Sequence, residues 1–188
     1  MVRILAFAGS TRRDSYNKKL IAVGVEGAKK AGAEVTLIDL RDFPLPLYDG
    51  DLEQEKGLPP NAAKLRDLLK SHAGLLIASP EYNSSITGVL KNTIDWTTRS
   101  EEKEGTLDAY HGKVAGLLSA SPGGLGGLRG LVHVRAILGN IGVLVIPEQS
   151  AVSSADEAFD ENGALRDAKK AESVRRVGAR LAELLKRI

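Results

Sequence analysis

Apolar positions along the 188-residue chain fall into two alternating patterns. Five short runs are almost continuously apolar: residues 3–8, 34–40, 74–78, 114–119 and 142–146. Such a run suits a strand covered on both faces, because a strand with one wet face alternates apolar with polar residues. Between these runs, residues 15–31, 61–71, 86–98, 125–138 and 165–187 repeat apolar residues every three to four positions, the stripe of an amphipathic helix. In the last of them Val174, Val177, Leu181, Leu184 and Leu185 make the apolar side, and the interleaved arginines and lysines read as its solvated side. Five strands alternating with five helices predict a parallel sheet with helices on both faces. Right-handed crossovers favour an open, doubly wound sheet, since five units are too few to close a barrel. No repeat, low-complexity tract or interdomain linker interrupts the alternation, so residues 1–188 are read as one domain.

Two longer connections stand out. Residues 41–60 carry Pro44, Pro46, Pro59 and Pro60, which argue against regular structure there. Residues 99–112 are charged and follow the third helix. Loops of this length often shape a site or an interface.

Composition narrows the function classes. Lysine plus arginine (26) nearly cancels aspartate plus glutamate (24), a balance that argues against a dedicated nucleic-acid binder. With no cysteine, disulfide scaffolds, thiolate nucleophiles, iron–sulfur clusters and cysteine zinc sites are excluded together. Any redox chemistry therefore needs a bound cofactor. No apolar run approaches the ~20 residues that span a bilayer, and the N-terminal segment lacks the length and cleavage pattern of a secretory signal. A soluble, cytoplasmic protein is the expectation.

In an open α/β sheet, ligands bind beyond the carboxyl ends of the strands. Three of those ends carry unusual sequence. After the first strand come Gly9, Ser10, Thr11, Arg12, Arg13, Asp14, Ser15, Tyr16 and Asn17, leading into a helix. Hydroxyls, an arginine and a helix N-terminus with unpaired N–H groups suit a terminal phosphate dianion. Simple helix capping by Ser15 or Asp14 is the plainer alternative. After the third strand, the string Ser79, Pro80, Glu81, Tyr82, Asn83, Ser84, Ser85 turns the chain, and consecutive N–H groups from Glu81 to Asn83 can face a flat polar edge. After the fourth, Ser119, Ala120, Ser121, Pro122, Gly123 and Gly124 allow close backbone approach to a planar ligand, or form a flexible loop. No GxxxxGK[ST] occurs, and the glycine-rich run from Gly123 fails GxGxxG because Arg129 stands at its last required glycine.

These residues carry a resemblance. Gly9-Ser10-x-Arg12-x-x-Ser15-x-Asn17-x-x-Leu20 resembles the opening motif of the NADPH-dependent FMN reductase family, whose flavodoxin-like members include quinone, azo-dye and chromate reductases. Pro80-Glu81-Tyr82-Asn83-x-Ser85-Ile86-x-Gly88-x-Leu90-Lys91-Asn92-x-Ile94-Asp95-Trp96 is similar to its second signature, and Ser121-Pro122-Gly123-Gly124-x-Gly126-Gly127-x-Arg129 to its third. The resemblance implies a flavodoxin-like sheet of order 2-1-3-4-5. It implies FMN as bound cofactor, with NADPH or NADH as donor and quinones, azo dyes, chromate or free flavin as acceptors. Ser10, Arg12, Ser15 and Asn17 would hold the phosphate. Pro80, Glu81, Tyr82 and Asn83 would line the isoalloxazine ring, bordered by Ser121 and Gly123. Relatives form dimers and tetramers, so a homo-oligomer is expected, with residues 41–60 and 99–112 near its interface.

Two departures are visible. Thr87 replaces a proline common at the first turn of the following helix, giving up that residue's preset φ. Arg13 adds a second arginine, either sharing the phosphate or solvated. His72, His111 and His133 match no metal spacing, and His72 reads as a partner for the carbonyls at the end of a helix. Trp96 reads as core. No catalytic acid, base or metal ligand is assigned, since the flavin carries the chemistry. Arg99 is one candidate for a donor 2′-phosphate. Two other readings keep the fold: an electron carrier without its own NAD(P)H oxidation, for which the small positive net charge is unfavourable, and a site for another phosphorylated ligand.

Overall fold

In a computed structural model, which describes residues 1–99 and 107–188, the centre of the sheet lies where the sequence is most continuously apolar. Strand β1 (Arg3–Ala8) pairs with β2 (Glu34–Ile38) on one side and β3 (Gly74–Ala78) on the other, followed outward by β4 (Val114–Ala120) and β5 (Leu144–Val152). All pairings are parallel and the order is β2-β1-β3-β4-β5, as expected. Every residue of β3 and β4 is buried. The edge strands β2 and β5 are partly open, and Leu37 and Leu144 reach solvent there.

The period of two sends alternate side chains to opposite cores. On one face Ile4, Ala6, Leu76, Ala78 and Leu118 meet helices α1 (Tyr16–Lys30) and α7 (Ala168–Leu185). On the other, Leu5, Phe7, Leu75, Ile77 and Leu117 meet α3 (Pro60–Lys70), α4 (Gly88–Thr97) and α5 (Leu128–Asn140). Helices α1 and α7 touch backbone to backbone: a Cβ built on Gly27 would lie 1.9 Å from the Arg175 carbonyl oxygen, and one on Gly178 2.1 Å from that of Gly24.

Element ends differ from the sequence reading where capping and proline chemistry decide them. Helix α3 starts at Pro60 itself, whose fixed φ suits a first turn. The 41–60 stretch is not free of regular structure. It holds a short 3₁₀ turn, Leu40–Asp42, and helix α2 (Gly50–Lys56), for which the Asp49 carboxylate accepts from the amides of Asp51 and Leu52. The prolines flank that helix and lie outside it. Helix α5 starts three residues later than the apolar stripe suggests, because Gly126 and Gly127 have φ of 62° and 88°. Strand β5 runs to Val152 rather than ending at 146. Its pairing with β4 skips residues 146–148, where Pro147 cannot donate to the ladder, and resumes at Gln149 opposite Leu117. A short helix α6 (Ala155–Ala158) follows. Of the expected 99–112 loop, residues 100–106 lie outside the described residues.

Candidate functional site

Beyond β1, the chain enters α1 through a loop whose hydroxyls are drawn inward. Ser10, Ser15 and Asn17 are all buried, while Thr11, Arg12, Arg13 and Asp14 are exposed. Ser15 occupies the N-cap backbone position, yet its hydroxyl caps no N–H of the helix. The capping alternative therefore fails for this serine, and its oxygen remains for another acceptor or donor. Ser10 Oγ accepts from the Arg12 amide at 3.2 Å, which folds the loop back on itself. The Arg12 guanidinium lies 5.8 Å from the centroid of Tyr16, and Tyr16 in turn stacks on Phe159 at 6.2 Å. This aromatic support was not legible in the motif alone, because Phe159 comes from the segment after β5.

Asn17 has a different geometry from the other three. Its Nδ2 donates to the Ala120 carbonyl at 2.8 Å and its Oδ1 accepts from the Ala120 amide at 3.0 Å. The side chain ties the first turn of α1 to the end of β4, holding two of the three strand ends in fixed relation.

Beyond β3, residues 82–85 make a tight turn. The amide of Tyr82 donates to the Ser85 carbonyl and that of Ser85 to the Tyr82 carbonyl, both at 3.0 Å. Asn83 and Ser84 sit at φ of 52° and 65°, left-handed conformations that cost energy outside glycine. Of the three N–H groups expected to face a ligand, that of Tyr82 is taken up by the turn, while those of Glu81 and Asn83 lie outside its hydrogen bonding. The Tyr82 side chain is 58% exposed and free to line a ligand. Neither Ser84 nor Ser85 caps α4. Thr87 does so, accepting from the Leu90 amide at 3.2 Å while donating to the Gly9 carbonyl at 2.7 Å. A proline could not make that second bond, so the departure at Thr87 replaces a rigid φ with a direct tie between the first and second loops.

Glu81 turns toward α5. Its Oε2 accepts from the Gly130 amide at 3.1 Å, and its Oε1 accepts from Arg129 Nε at 2.8 Å. Burial opposes ionisation of this carboxyl, but the Gly130 amide and the Arg129 guanidinium outweigh it and hold the group below the usual carboxylate range. The glycines beside Arg129 make that approach possible. A Cβ on Gly127 would lie 1.9 Å from Ser119 Oγ, and one on Gly130 would lie 3.4 Å from Glu81 Cβ. Gly123 and Gly124, by contrast, face open space or the Ser121 hydroxyl, which accepts from the Gly123 amide at 3.2 Å. The ion pair joins the second and third motifs at adjacent strands. Its signal in the sequence was an acid just after β3 and a base in the first turn of α5.

The three loops enclose a small cleft of about 100 Å³ lined by Ser10, Arg12, Ser15, Tyr82 and Ser121, among others. A second cavity of about 290 Å³, bounded by Thr11, Thr87, Gly88 and Val89, shares Ser10, Arg12 and Tyr82 with it. The first is the size of a phosphate and the start of a chain, and the second is wider. A larger hollow of about 780 Å³ lies elsewhere, between α4 and α5, and shares no lining residue with either. Arg99 lines that hollow, with its guanidinium 5.1 Å from the Tyr48 ring. It therefore stands apart from the cleft. His72 does meet a helix-end carbonyl, with Nδ1 2.6 Å from the Leu68 oxygen, and its Nε2 is 2.8 Å from Thr36 Oγ1. Trp96 is fully buried and donates from Nε1 to the Pro46 carbonyl. His133 Nδ1 lies 2.8 Å from Ser85 Oγ, a contact with the second loop that the sequence did not suggest.

A family model described as NADPH-dependent FMN reductase matches residues 2–157, which contain all three loops. The chain belongs to the NADPH-dependent FMN reductase family. An NAD(P)H-dependent FMN reductase of Pseudomonas aeruginosa is 35% identical over 174 residues, covering 92% of this chain and 89% of that protein. An NAD(P)H:quinone oxidoreductase of Solanum tuberosum is 33% identical over 94% of this chain and 89% of its own length. Among solved structures, a flavoenzyme NAD(P)H:(acceptor) oxidoreductase from Paracoccus denitrificans superposes with a TM-score of 0.82 at 26% identity, covering 100% of this chain and 98% of that one. The resemblance in the motifs is thereby borne out, and with it a flavodoxin-like oxidoreductase that works with FMN and NAD(P)H. The donor set suits the cofactor: two inward hydroxyls, one cation and a helix N-terminus for a phosphate, beside backbone amides for a polar ring edge. Among the described residues no helix is long and apolar enough to cross a membrane.

Proposed function

We propose that this chain reduces quinones with NAD(P)H through bound FMN, by a ping-pong sequence in which NAD(P)⁺ leaves before the acceptor enters. Azo dyes, chromate and free flavin are related acceptors in this reading. The observation that carries it is the convergence of a loop with buried hydroxyls and an exposed arginine and a strained amide-bearing turn in one cleft at the carboxyl ends of β1, β3 and β4. Ser10, Arg12 and Ser15 hold the terminal phosphate with the first amides of α1, and Asn17 braces that loop on Ala120. Pro80, Glu81, Tyr82 and Asn83 line the ring, with Ser121 and Gly123 at its border. FMN, when bound, supplies the hydride-accepting N5 and the electrons passed onward. The Ser10, Arg12 and Ser15 side chains would hold its phosphate, and the 80–83 and 121–124 loops would cover one ring face, leaving a single face for both substrates.

Donor and acceptor must each bring their reacting atoms to about 3–3.5 Å of that face, so they compete for it. Initial-rate lines at several fixed quinone concentrations should then be parallel, with each substrate inhibiting competitively against the other. Intersecting lines would contradict the shared face. NADPH oxidation that requires an added reductase would favour the electron-carrier alternative. We take all 188 residues as one FMN-binding domain acting as a homodimer or homotetramer in the cytoplasm. The apolar residues Leu125, just before α5, and Leu128 and Val132, on it, are exposed and support self-association.

A further inference from the structure

The second loop is gripped from α5 at three points. Arg129 and Gly130 hold the Glu81 carboxylate, and His133 meets Ser85. Helix α5 lacks a side-chain cap of its own, because Gly127 stands at its N-cap. Glu81 thus serves as a cap delivered from another loop, satisfying one of the orphan amides of the first turn. Its side chain is 7% exposed, against 57% for Arg129, so the carboxylate is inside and the cation closes it from solvent. A buried carboxylate directly beside the amides of the ring-binding loop is an unfavourable charge for a ligand that gains negative charge on reduction, unless a cation offsets it.

We infer that the Glu81–Arg129 side-chain pair is a positioning and charge-setting device for the flavin: it holds the 80–85 turn and sets the reduction potential of the bound ring through charges directed at α5 and away from the ring. The inference rests on FMN occupying the cleft as proposed above. Glu81 acts through its own backbone amide and its neighbours. Arg129 acts through Glu81. Removing the cation leaves an unpaired buried carboxylate, which disfavours the reduced flavin. Removing the carboxylate charge but keeping its shape leaves an unpaired cation, which favours it. A bracing role alone predicts no such opposition, since both changes would loosen the same loop.

The test uses the purified full chain reconstituted with FMN, in wild-type, Glu81→Gln, Arg129→Gln, Arg129→Lys and double Glu81→Gln/Arg129→Gln forms. Two quantities are read: the FMN dissociation constant from fluorescence titration of the apoprotein, and the potential from anaerobic equilibration with a reference dye. Arg129→Gln should lower the potential and Glu81→Gln should raise it. Each changes the ratio of reduced to oxidised FMN affinity about tenfold, which is ~30 mV for a two-electron couple. The double variant should return to within a third of that span of the wild type. Arg129→Lys keeps the charge while losing the forked geometry, so it should keep the wild-type potential with several-fold weaker FMN binding. Equal potentials in all FMN-binding forms, or a shift of the same sign in both single variants, would overturn the inference. Because the lysine variant retains both charges, a potential matching Arg129→Gln would overturn it even if Glu81→Gln does not fold. Failure of the wild-type chain to bind FMN at all would instead overturn the reading on which this rests.

Discussion

The two ends of the sheet treat polar groups in opposite ways. Near the amino ends of the strands, charged side chains are buried and fully engaged. Arg66, 4% exposed, donates to the Thr97 and Arg99 carbonyls and pairs with Asp108 at 2.8 Å. Lys113 donates to the His72 carbonyl at 2.5 Å, and burial pushes its pKa down despite the opposing pull of Asp108. At the carboxyl ends, the hydroxyl of Ser15 caps nothing, Arg12 is exposed, and three residues other than glycine (Asn83, Ser84 and Ser154) are held at positive φ. A region that only has to fold satisfies its own donors. Donors left over beside stored backbone strain mark the end that waits for a ligand.

Substitutions at the two ends should therefore have separable effects. The largest expected loss of stability is at the amino end. Arg66→Ala leaves two carbonyls without their donor and Asp108 with Lys70 as its remaining partner at 3.2 Å, and should cost about 3 kcal/mol in urea unfolding, the low end of the range for breaking a buried ion pair. FMN affinity of the folded fraction should stay within twofold of wild type. A large loss of FMN affinity there would blur the division between the ends.

At the carboxyl end, Arg12→Ala should weaken FMN binding by roughly one to two orders of magnitude with an unchanged unfolding midpoint, as a lost charge-assisted contact of about 1.5–3 kcal/mol predicts. Arg13→Ala should do much less. Equal effects from the two would show that the arginines share the phosphate. The smallest and sharpest case is Ser15→Ala. Removing a true cap costs ~1 kcal/mol of stability. Here the unfolding free energy should move by less than about 0.5 kcal/mol, the scale of a surface change, while FMN binding falls several-fold. A full capping penalty would return Ser15 to helix stability.

Much of this comparison was legible beforehand. Apolar runs located all five strands and their alternation with helical stripes gave a parallel sheet, since the central strands are buried on both faces, while the strand order came from the family resemblance. Pairing details that depend on one residue were not legible: Pro147 interrupts β5 mid-strand, and Asp49 nucleates α2 between prolines. At the site, most of the expected residues line one cleft while Asn83 and Gly123 do not, and their duties divide in ways that residue type does not encode. Asn17 looks like a phosphate ligand in sequence and forms a two-point tie to Ala120 in space. Thr87 reads as a lost proline and makes a bond to Gly9 that proline could not. The third motif reads as a glycine loop near a ring, whereas Gly127, Arg129 and Gly130 receive Glu81 from the neighbouring strand. Such cross-loop pairings depend on which strand ends are adjacent, and that is fixed by the fold.

The central claim is that the carboxyl-end cleft holds FMN and passes electrons from NAD(P)H unaided. The most direct measurement is the visible spectrum of the purified protein before and after anaerobic NADPH addition, followed by a quinone, with the released flavin identified by chromatography. The account predicts an oxidised-flavin band that bleaches without any partner protein and returns on quinone addition, from a flavin that runs as FMN. A colourless protein that does not take up FMN, or a flavin that stays oxidised in excess NADPH, would contradict it.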